Sequence, residues 1–589
     1  MKPSPLPKLR LAAIISGGAL LLLILLALDL TNHGVAWRLF WSLTGEETPL
    51  AQVRGMVEWA GSLIRQQSDT APGVPINHTT ENPFGINTFL EQEVEPAKRE
   101  QQIQMIADAG FGWIRQEFAW EDIEVHGRGD YEDRRNDLDG DGQPDAVDAW
   151  AKYDQIVDLA DQYGLQIQAR LSNPPDWTHA NPDIGDKAPP DDVQDFVNYA
   201  VTLAERYKGR VRYFQIWNEP NIYPEWGNQP VNPEAYTDLL CRTYAALKAV
   251  DPDNVIIAAA LAPTVSLSPE NLNDFVFLQR MYDAGAGECF DIMAAQGYGL
   301  NSGPTDHRMR PTTVNFAHNV YIRDLMVANG DAEKPIWISE MGWNTQPDDP
   351  AIVTSQSGEF GIVTEEQRAQ YTPLAYQRAQ QEWPWVGVMN FWFFKRAADY
   401  EQNQAFYYFR MVEPDFTPLP VYDAMKQYIR DEQPMLYPGI HQAEEWGIQA
   451  GAEQALVDFP GAEFGQVLQT DELTFTVYGT SVVLYWRGGG ETLYVEIDGK
   501  LDLAGGQCNH PLADDELHFT AFCLGLTAGE HTLRVTPVVP DLPLYIDSVE
   551  VLDRSFQNVA PLVGGALSLL FVAGVAVVNG LRERRRRVS

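Results

Sequence analysis

The chain is short of cysteine and of basic residues, and it holds no CxxC or HExxH motif, no internal repeat and no low-complexity tract. Four cysteines in 589 residues are too few for a disulfide-stapled miniature fold, and the missing motifs leave a zinc site without support. Lys and Arg total 42 against 82 Asp and Glu, a net charge of −40. A body that acidic repels phosphate backbones, so a nucleic-acid partner is disfavoured. A composition of 45% hydrophobic, 21% charged and 11% aromatic residues excludes wholesale disorder and collagen-like fibres, and the length calls for two or three modules with their own cores.

The basic residues that are present cluster at the two ends, each beside a long apolar run. Residues 11–28 are uncharged and follow Lys2, Lys8 and Arg10; residues 559–581 are uncharged and precede Arg582 and Arg584 to Arg587. Each run is long enough to span a bilayer as a helix, and the positive-inside rule puts both basic ends in the cytoplasm with the acidic middle outside. No small-residue cleavage site follows Leu28, which favours an uncleaved anchor over a signal peptide. In an external compartment the four cysteines can pair; Cys241 with Cys289 and Cys508 with Cys523 is one of three connectivities.

This gives a cytoplasmic tail and transmembrane helix over residues 1–30, a stalk over 31–81 that includes an amphipathic stretch at 53–66, and a larger module over 82–432. An all-β module over 433–556, a second transmembrane helix over 557–581 and a basic cytoplasmic tail over 582–589 complete the expected order. In the middle module, eight short β-type runs (84–89, 113–117, 166–171, 213–217, 255–259, 292–295, 335–339, 386–391) alternate with helical patterns such as 96–109, 192–207, 233–250, 314–329 and 365–381. That alternation predicts an α/β fold, a (β/α)8 barrel. Thr364 with Gln367 reads as a capping box, and Asp191 as the cap of the helix after it. Beyond residue 431, alternating runs separated by Gly-rich turns predict a β-sandwich.

In such a barrel the chemistry sits at the C-terminal ends of strands. Strand four runs into Trp217-Asn218-Glu219-Pro220, and strand seven into Ser339-Glu340-Met341. A carboxyl where a buried wall meets an open mouth is placed for a shifted pKa, although a lone Glu there is equally an ion-pair partner. Over residues 82–430 the sequence resembles the retaining glycoside hydrolases of clan A, in particular the β-xylosidase and α-L-iduronidase group and the endoglucanase-like families, with Trp217-Asn218-Glu219-Pro220 as the most specific element. The resemblance implies Glu219 as acid/base, Glu340 as nucleophile and Asn218 as a ligand of the sugar hydroxyl beside the anomeric carbon. Such carboxyls about 5 to 5.5 Å apart retain configuration, while about 6.5 to 9.5 Å inverts it.

The same resemblance points to Arg115 near the nucleophile, Tyr298 as a donor to Glu340, and Trp392 as an aromatic floor for the sugar; Gln296 stands where relatives commonly have His. Trp177, Trp226 and Trp343 lie in neighbouring loops and are candidates for further subsites. The implied partner is a polysaccharide or oligosaccharide substrate, and catalysis needs no cofactor. A second motif, residues 137–148, places Asp137, Asp139, Asp141, Gln143, Asp145 and Asp148 at calcium-loop spacing with Gly142 at the sixth position, and predicts a structural Ca2+. The β module loosely resembles galactose-binding-type jelly rolls, which makes it a carbohydrate-binding unit or a spacer. The expected function is a retaining glycoside hydrolase that cleaves β-glycosidic bonds of extracytoplasmic glycans at the cell membrane. A catalytically idle glycan-binding surface protein and a transglycosylase are the alternatives that sequence leaves open.

Overall fold

All eight β-type runs form strands in the computed structural model: β1 (Phe84–Thr88), β2 (Trp113–Ala119), β3 (Gln166–Ser172), β4 (Tyr213–Ile216), β5 (Val255–Leu261), β6 (Ile292–Tyr298), β7 (Ile336–Gly342) and β8 (Val386–Phe391). They pair in parallel, each with its neighbours, and β8 returns to β1 to close the barrel. The structure describes residues 6–553 apart from 138–139, 489–491, 503–505, 508–519 and 540–541. The chain divides into two units, Met1–Ala71 with Glu81–Glu432, and Pro72–Thr80 with Gln433–Ser589.

The barrel interior is graded. Trp113, Tyr213, Val255, Ile292, Trp337 and Val388 form an apolar plug, with Trp113 and Trp337 in edge contact at 5.0 Å. Two residues further along several of these strands the inward positions turn polar: Arg115, Gln215, Ser339 and Asn390. The side period of two along a strand thus sets apolar filling below and a hydrogen-bonded layer above, beneath the catalytic mouth.

Helices cover the outside where the sequence placed them, among them Pro96–Asp108, Val193–Arg206, Pro233–Val250 and Glu365–Glu382. Thr364 and Gln367 make the reciprocal capping box. The cap of Val193–Arg206 is Asp192, which accepts from the Gln194 amide, and not Asp191, one residue too early. Cys241 and Cys289 form a disulfide; Cys508 lies outside the described residues.

Residues 31–81 are not an extended stalk. They begin with α2 (Val35–Thr44) and α3 (Pro49–Ser62), which follow α1 (Leu6–Thr31) and fold onto the barrel unit. The Arg308 side chain is 2% exposed and reaches Glu46 at 2.7 Å, Glu58 at 3.0 Å and Asp306 at 2.8 Å. Thr305 Oγ1 donates to the Trp41 carbonyl at 2.7 Å, and the Tyr371 hydroxyl donates to Glu47. The hydrophobic periodicity of 53–66 marked an amphipathic helix, but the buried Arg308 that holds it lies some 250 residues away in sequence.

Among the described residues no single helix is long and apolar enough to cross a membrane; Leu20–Thr31 and Val35–Thr44 pass that test together as a pair bent by 70°. The expected second transmembrane segment, 557–581, and the tail 582–589 lie outside the described residues. In the C-terminal unit, the described strands join in one antiparallel sheet of ten strands where the sequence suggested two sheets. Along its longest pairing, Leu473–Gly488 with Thr520–Pro537, the register shifts between Gly479 and Ser481. Leu473, Phe475 and Val477 before the shift, and Val482, Leu484 and Trp486 after it, share one core. The bulge turns the strand so that both halves face that core.

Candidate active site

Glu219 and Glu340 converge through different local devices. Glu340 lies within β7 and is buried. Glu219 follows β4 in a tight loop where Trp217 (φ 74°) and Glu219 (φ 42°) both occupy left-handed backbone, a conformation costly for bulky side chains. Surrounding contacts hold it there. The Trp217 amide donates to Leu171 O at 2.9 Å, its indole N–H to Glu225 O at 2.8 Å, and the Glu219 amide to Ala260 O at 3.0 Å. Asn221, fully buried, clips the loop to the end of β5 by accepting from the Ala262 amide at 2.8 Å and donating to Ala262 O at 2.9 Å.

Arg115 is the centre of the site and is 2% exposed. Its Nη1 contacts Glu340 Oε1 at 3.1 Å and Asn87 Oδ1 at 2.7 Å; its Nη2 donates to Asn218 Oδ1 at 2.8 Å and its Nε to Gln215 Oε1 at 2.8 Å. Burial draws the guanidinium down to about 10, against the opposing pull of Glu340, and it stays charged at neutral pH. The Tyr298 hydroxyl donates to Glu340 Oε2 at 2.6 Å. Burial, then the Glu340 charge, hold that phenol well above its ordinary pKa, so it keeps its proton as a donor. Both oxygens of Glu340 are therefore engaged by donors, one of them a guanidinium.

Glu219 has the contrasting environment. Burial first, then the nearby Glu340 and Glu225 charges, raise its pKa well above the carboxylate range, while the Gln296 amide, 2.5 Å from Oε1, and Lys187 oppose the shift. Glu219 is kept protonated beside a second carboxyl whose two oxygens are held by Arg115 and Tyr298. That is the division of labour required to protonate a leaving oxygen on one side of an acetal and attack carbon on the other.

The structure thus brings together Glu219, Glu340, Asn218, Arg115, Tyr298 and Gln296. Arg115 is a buried partner of Glu340 and not a surface ion pair. Trp392, directly after β8, is half-buried, with its amide on Met341 O at 2.8 Å, and makes an edge contact with Phe89 at 5.5 Å. Trp177, in the loop after β3, is also half-buried and donates to Glu124 O at 2.6 Å. Trp226 and Trp343 are 2% and 0% exposed and serve packing, not the subsites expected of them. The sequence reading passed over Asn87, Gln215 and Asn221. Inward polar residues in strands of a barrel core were the available signal.

The calcium-loop residues are less assembled. Asp139 lies outside the described residues, and among those described no group of three or more His, Cys, Asp or Glu is arranged to hold a metal ion. The Asp137 carboxylate accepts from the amides of Gly140 at 2.7 Å and Gly142 at 2.8 Å, and Gly142 has φ 88°. Asp141 accepts from the Gln143 amide at 2.8 Å, and Asp148 from the Trp150 amide at 2.9 Å; Asp145 is half-buried.

Residues 70–274 match the family described as cellulase (glycosyl hydrolase family 5). The barrel is a glycoside hydrolase domain. The matched stretch includes Asn218 and Glu219 and ends before β7, so the place of Glu340 rests on the geometry above. Solved structures similar to this glycoside hydrolase include a family 39 glycoside hydrolase from the gut symbiont Bacteroides cellulosilyticus WH2, at 18% identity and a TM-score of 0.44, covering 79% of this chain and 82% of that one. A monomeric beta-xylosidase from Caulobacter crescentus CB15 has 13% identity and a TM-score of 0.42, over 80% and 99% of the two chains. GH5_18 from Streptomyces cattleya, in complex with GlcNAc, has 18% identity and a TM-score of 0.42, over 64% and 83%. No curated protein matches the chain.

The raised pKa of Glu219 has a consequence for stability. The folded state holds this proton more tightly than the unfolded chain does, so the associated stability is fully present at acid pH and is lost as pH rises through the folded pKa. Glu219→Gln, which cannot ionise, is expected to melt with the parent at acid pH and above it in alkaline solution. Parallel melting curves from acid to alkaline pH would refute the burial argument.

Proposed function

We propose that the protein is a retaining β-glycosidase of extracytoplasmic glycans, with Glu219 as acid/base and Glu340 as nucleophile. The observation that carries this reading is the opposed treatment of the two carboxyls: Glu340 held on both oxygens by Arg115 and Tyr298, and Glu219 held protonated by burial and by the neighbouring Glu340. Glu219 protonates the glycosidic oxygen as Glu340 attacks the anomeric carbon. In the second half-reaction Glu219, now ionised, takes a proton from water, which displaces Glu340 and restores the original anomer. Asn218, oriented by Arg115, is placed to bind the hydroxyl next to the reacting carbon, and Trp392 to stack under the ring.

Two further features belong to the proposal. The apolar run of residues 11–28 behind Lys2, Lys8 and Arg10 anchors the protein in the membrane with the barrel outside, and 559–581 does so from the other end. Residues 137–148 bind a structural Ca2+. Support comes from five Asp side chains within twelve residues, from oxygen-only donors suited to a hard cation, and from the left-handed Gly142 where the loop must turn sharply. The bound ion would neutralise mutual repulsion and order the loop.

Each element has its own test. With aryl β-glycosides and polysaccharides as substrates, Glu219→Gln and Glu340→Gln are each expected to lose about 10²-fold or more in kcat on natural substrates, and NMR should show the first-formed sugar with retained configuration. Full activity in both variants, or an inverted first product, overturns the assignment. Calcium is expected to raise the Tm and a chelator to lower it; an unchanged Tm with no bound metal removes the ion. Membrane preparations should retain the chain through an alkaline carbonate wash, and release into the wash removes the anchor.

A further inference from the structure

The apolar surface of α3 is turned away from the protein. Leu50 is 82% exposed, Val53 43%, Val57 72% and Ile64, just beyond the helix, 90%. Their spacing of three, four and seven residues keeps them on one stripe at about 3.6 residues per turn. The buried positions Gln52, Gly55 and Ser62 lie on the opposite face, toward α2 and the barrel. On α2, Val35 (81%) and Leu39 (54%) are likewise exposed. An apolar stripe of this extent does not stay in water without an occupant.

Three observations select the occupant. First, the stripe is continuous in the chain with α1, whose Leu20 to Leu25 and Leu28 are themselves exposed. Second, α2 leaves α1 at 70°, so that if α1 stands across a bilayer, α2 runs nearly along its surface. Half-buried Trp37 and Trp41, stacked at 6.1 Å, then fall at the depth favoured by tryptophan. Third, charge is sorted: Glu46 and Glu58 turn inward to Arg308 and Glu47 to Tyr371, while the Arg38 and Arg54 side chains remain exposed. In a protein of net charge −40, residues 35–65 balance three Arg against three Glu.

We propose that α2 and α3 form a platform that lies in the headgroup region of the outer leaflet, with Leu50, Val53, Val57 and Ile64 embedded, so that the barrel is held against the membrane at a fixed attitude. The proposal rests on the anchoring reading above. Because Arg308 and the Thr305 and Tyr371 hydrogen bonds fix the platform to the barrel unit, the catalytic domain is not free to swing at the end of a tether. The enzyme would then act on glycans close to the bilayer.

The test reconstitutes the full chain into phosphatidylcholine vesicles with an environment-sensitive fluorophore on Val57→Cys. Leu50→Cys provides a second platform site and Glu205→Cys, on an exposed position of Val193–Arg206, the control. No described cysteine is free to compete for the label. Lipids carrying a shallow spin-label quencher are expected to quench positions 50 and 57 several-fold more than 205, with a blue-shifted emission. If the chain resists carbonate extraction but positions 50 and 57 report water, the platform is overturned and the anchor stands. If the chain washes off, both fall. If position 57 is shielded from water, unquenched by lipid and cross-links to its counterpart, the stripe is an interface between two copies and the platform is equally overturned.

Discussion

A buried guanidinium in a barrel is tenable only if its charge is matched, and Arg115 is matched by four side chains from three strands or their ends at once. Asn87 on β1, Gln215 on β4, Asn218 just beyond it and Glu340 on β7 all turn a side-chain oxygen toward it. Gln215 Oε1 in turn accepts from Gln168 at 2.9 Å and Ser339 at 3.2 Å, so the polar layer is tied across the interior. Removing a partner would leave an uncompensated charge in low dielectric, which is costly, whereas the complete set is tolerated. This arrangement fixes the position of Glu340, and Glu340 in its turn raises the pKa of Glu219.

The local backbone at Trp217 and Glu219 follows the same logic. Left-handed conformations at two non-glycine residues survive because Leu171 and Ala260 grip the loop from neighbouring strands and Asn221 ties it to Ala262. Strain held by a rigid scaffold places the Glu219 carboxyl with less freedom than an ordinary loop allows.

The N-terminal segment shows what pattern reading does with helices whose partners are distant. Periodicity identified the helix of residues 53–66 but assigned it to a stalk, because nothing local announces Arg308. The same gap explains Trp226 and Trp343: a tryptophan in a loop near a strand end reads as a subsite, and only packing shows it buried. Arg115 lies beside Glu340, where the resemblance put it, but a charged residue on a strand is equally a surface ion pair until the barrel closes around it.

By itself the sequence determined the order of eight strands and their helices, the two modules and the two glutamates. Alternation of short apolar runs with 3.6-periodic stretches, and Trp217-Asn218-Glu219-Pro220, are local signals written in contiguous residues. Only the tertiary structure decided that Asn87 and Gln215 hold Arg115 beside Glu340, that Gln296 meets Glu219, that the C-terminal strands join one continuous sheet, and that α2 and α3 are clamped to the barrel. Each of these depends on side chains separated by tens to hundreds of residues, and on the burial that turns a polar residue from a surface ornament into a fixed partner.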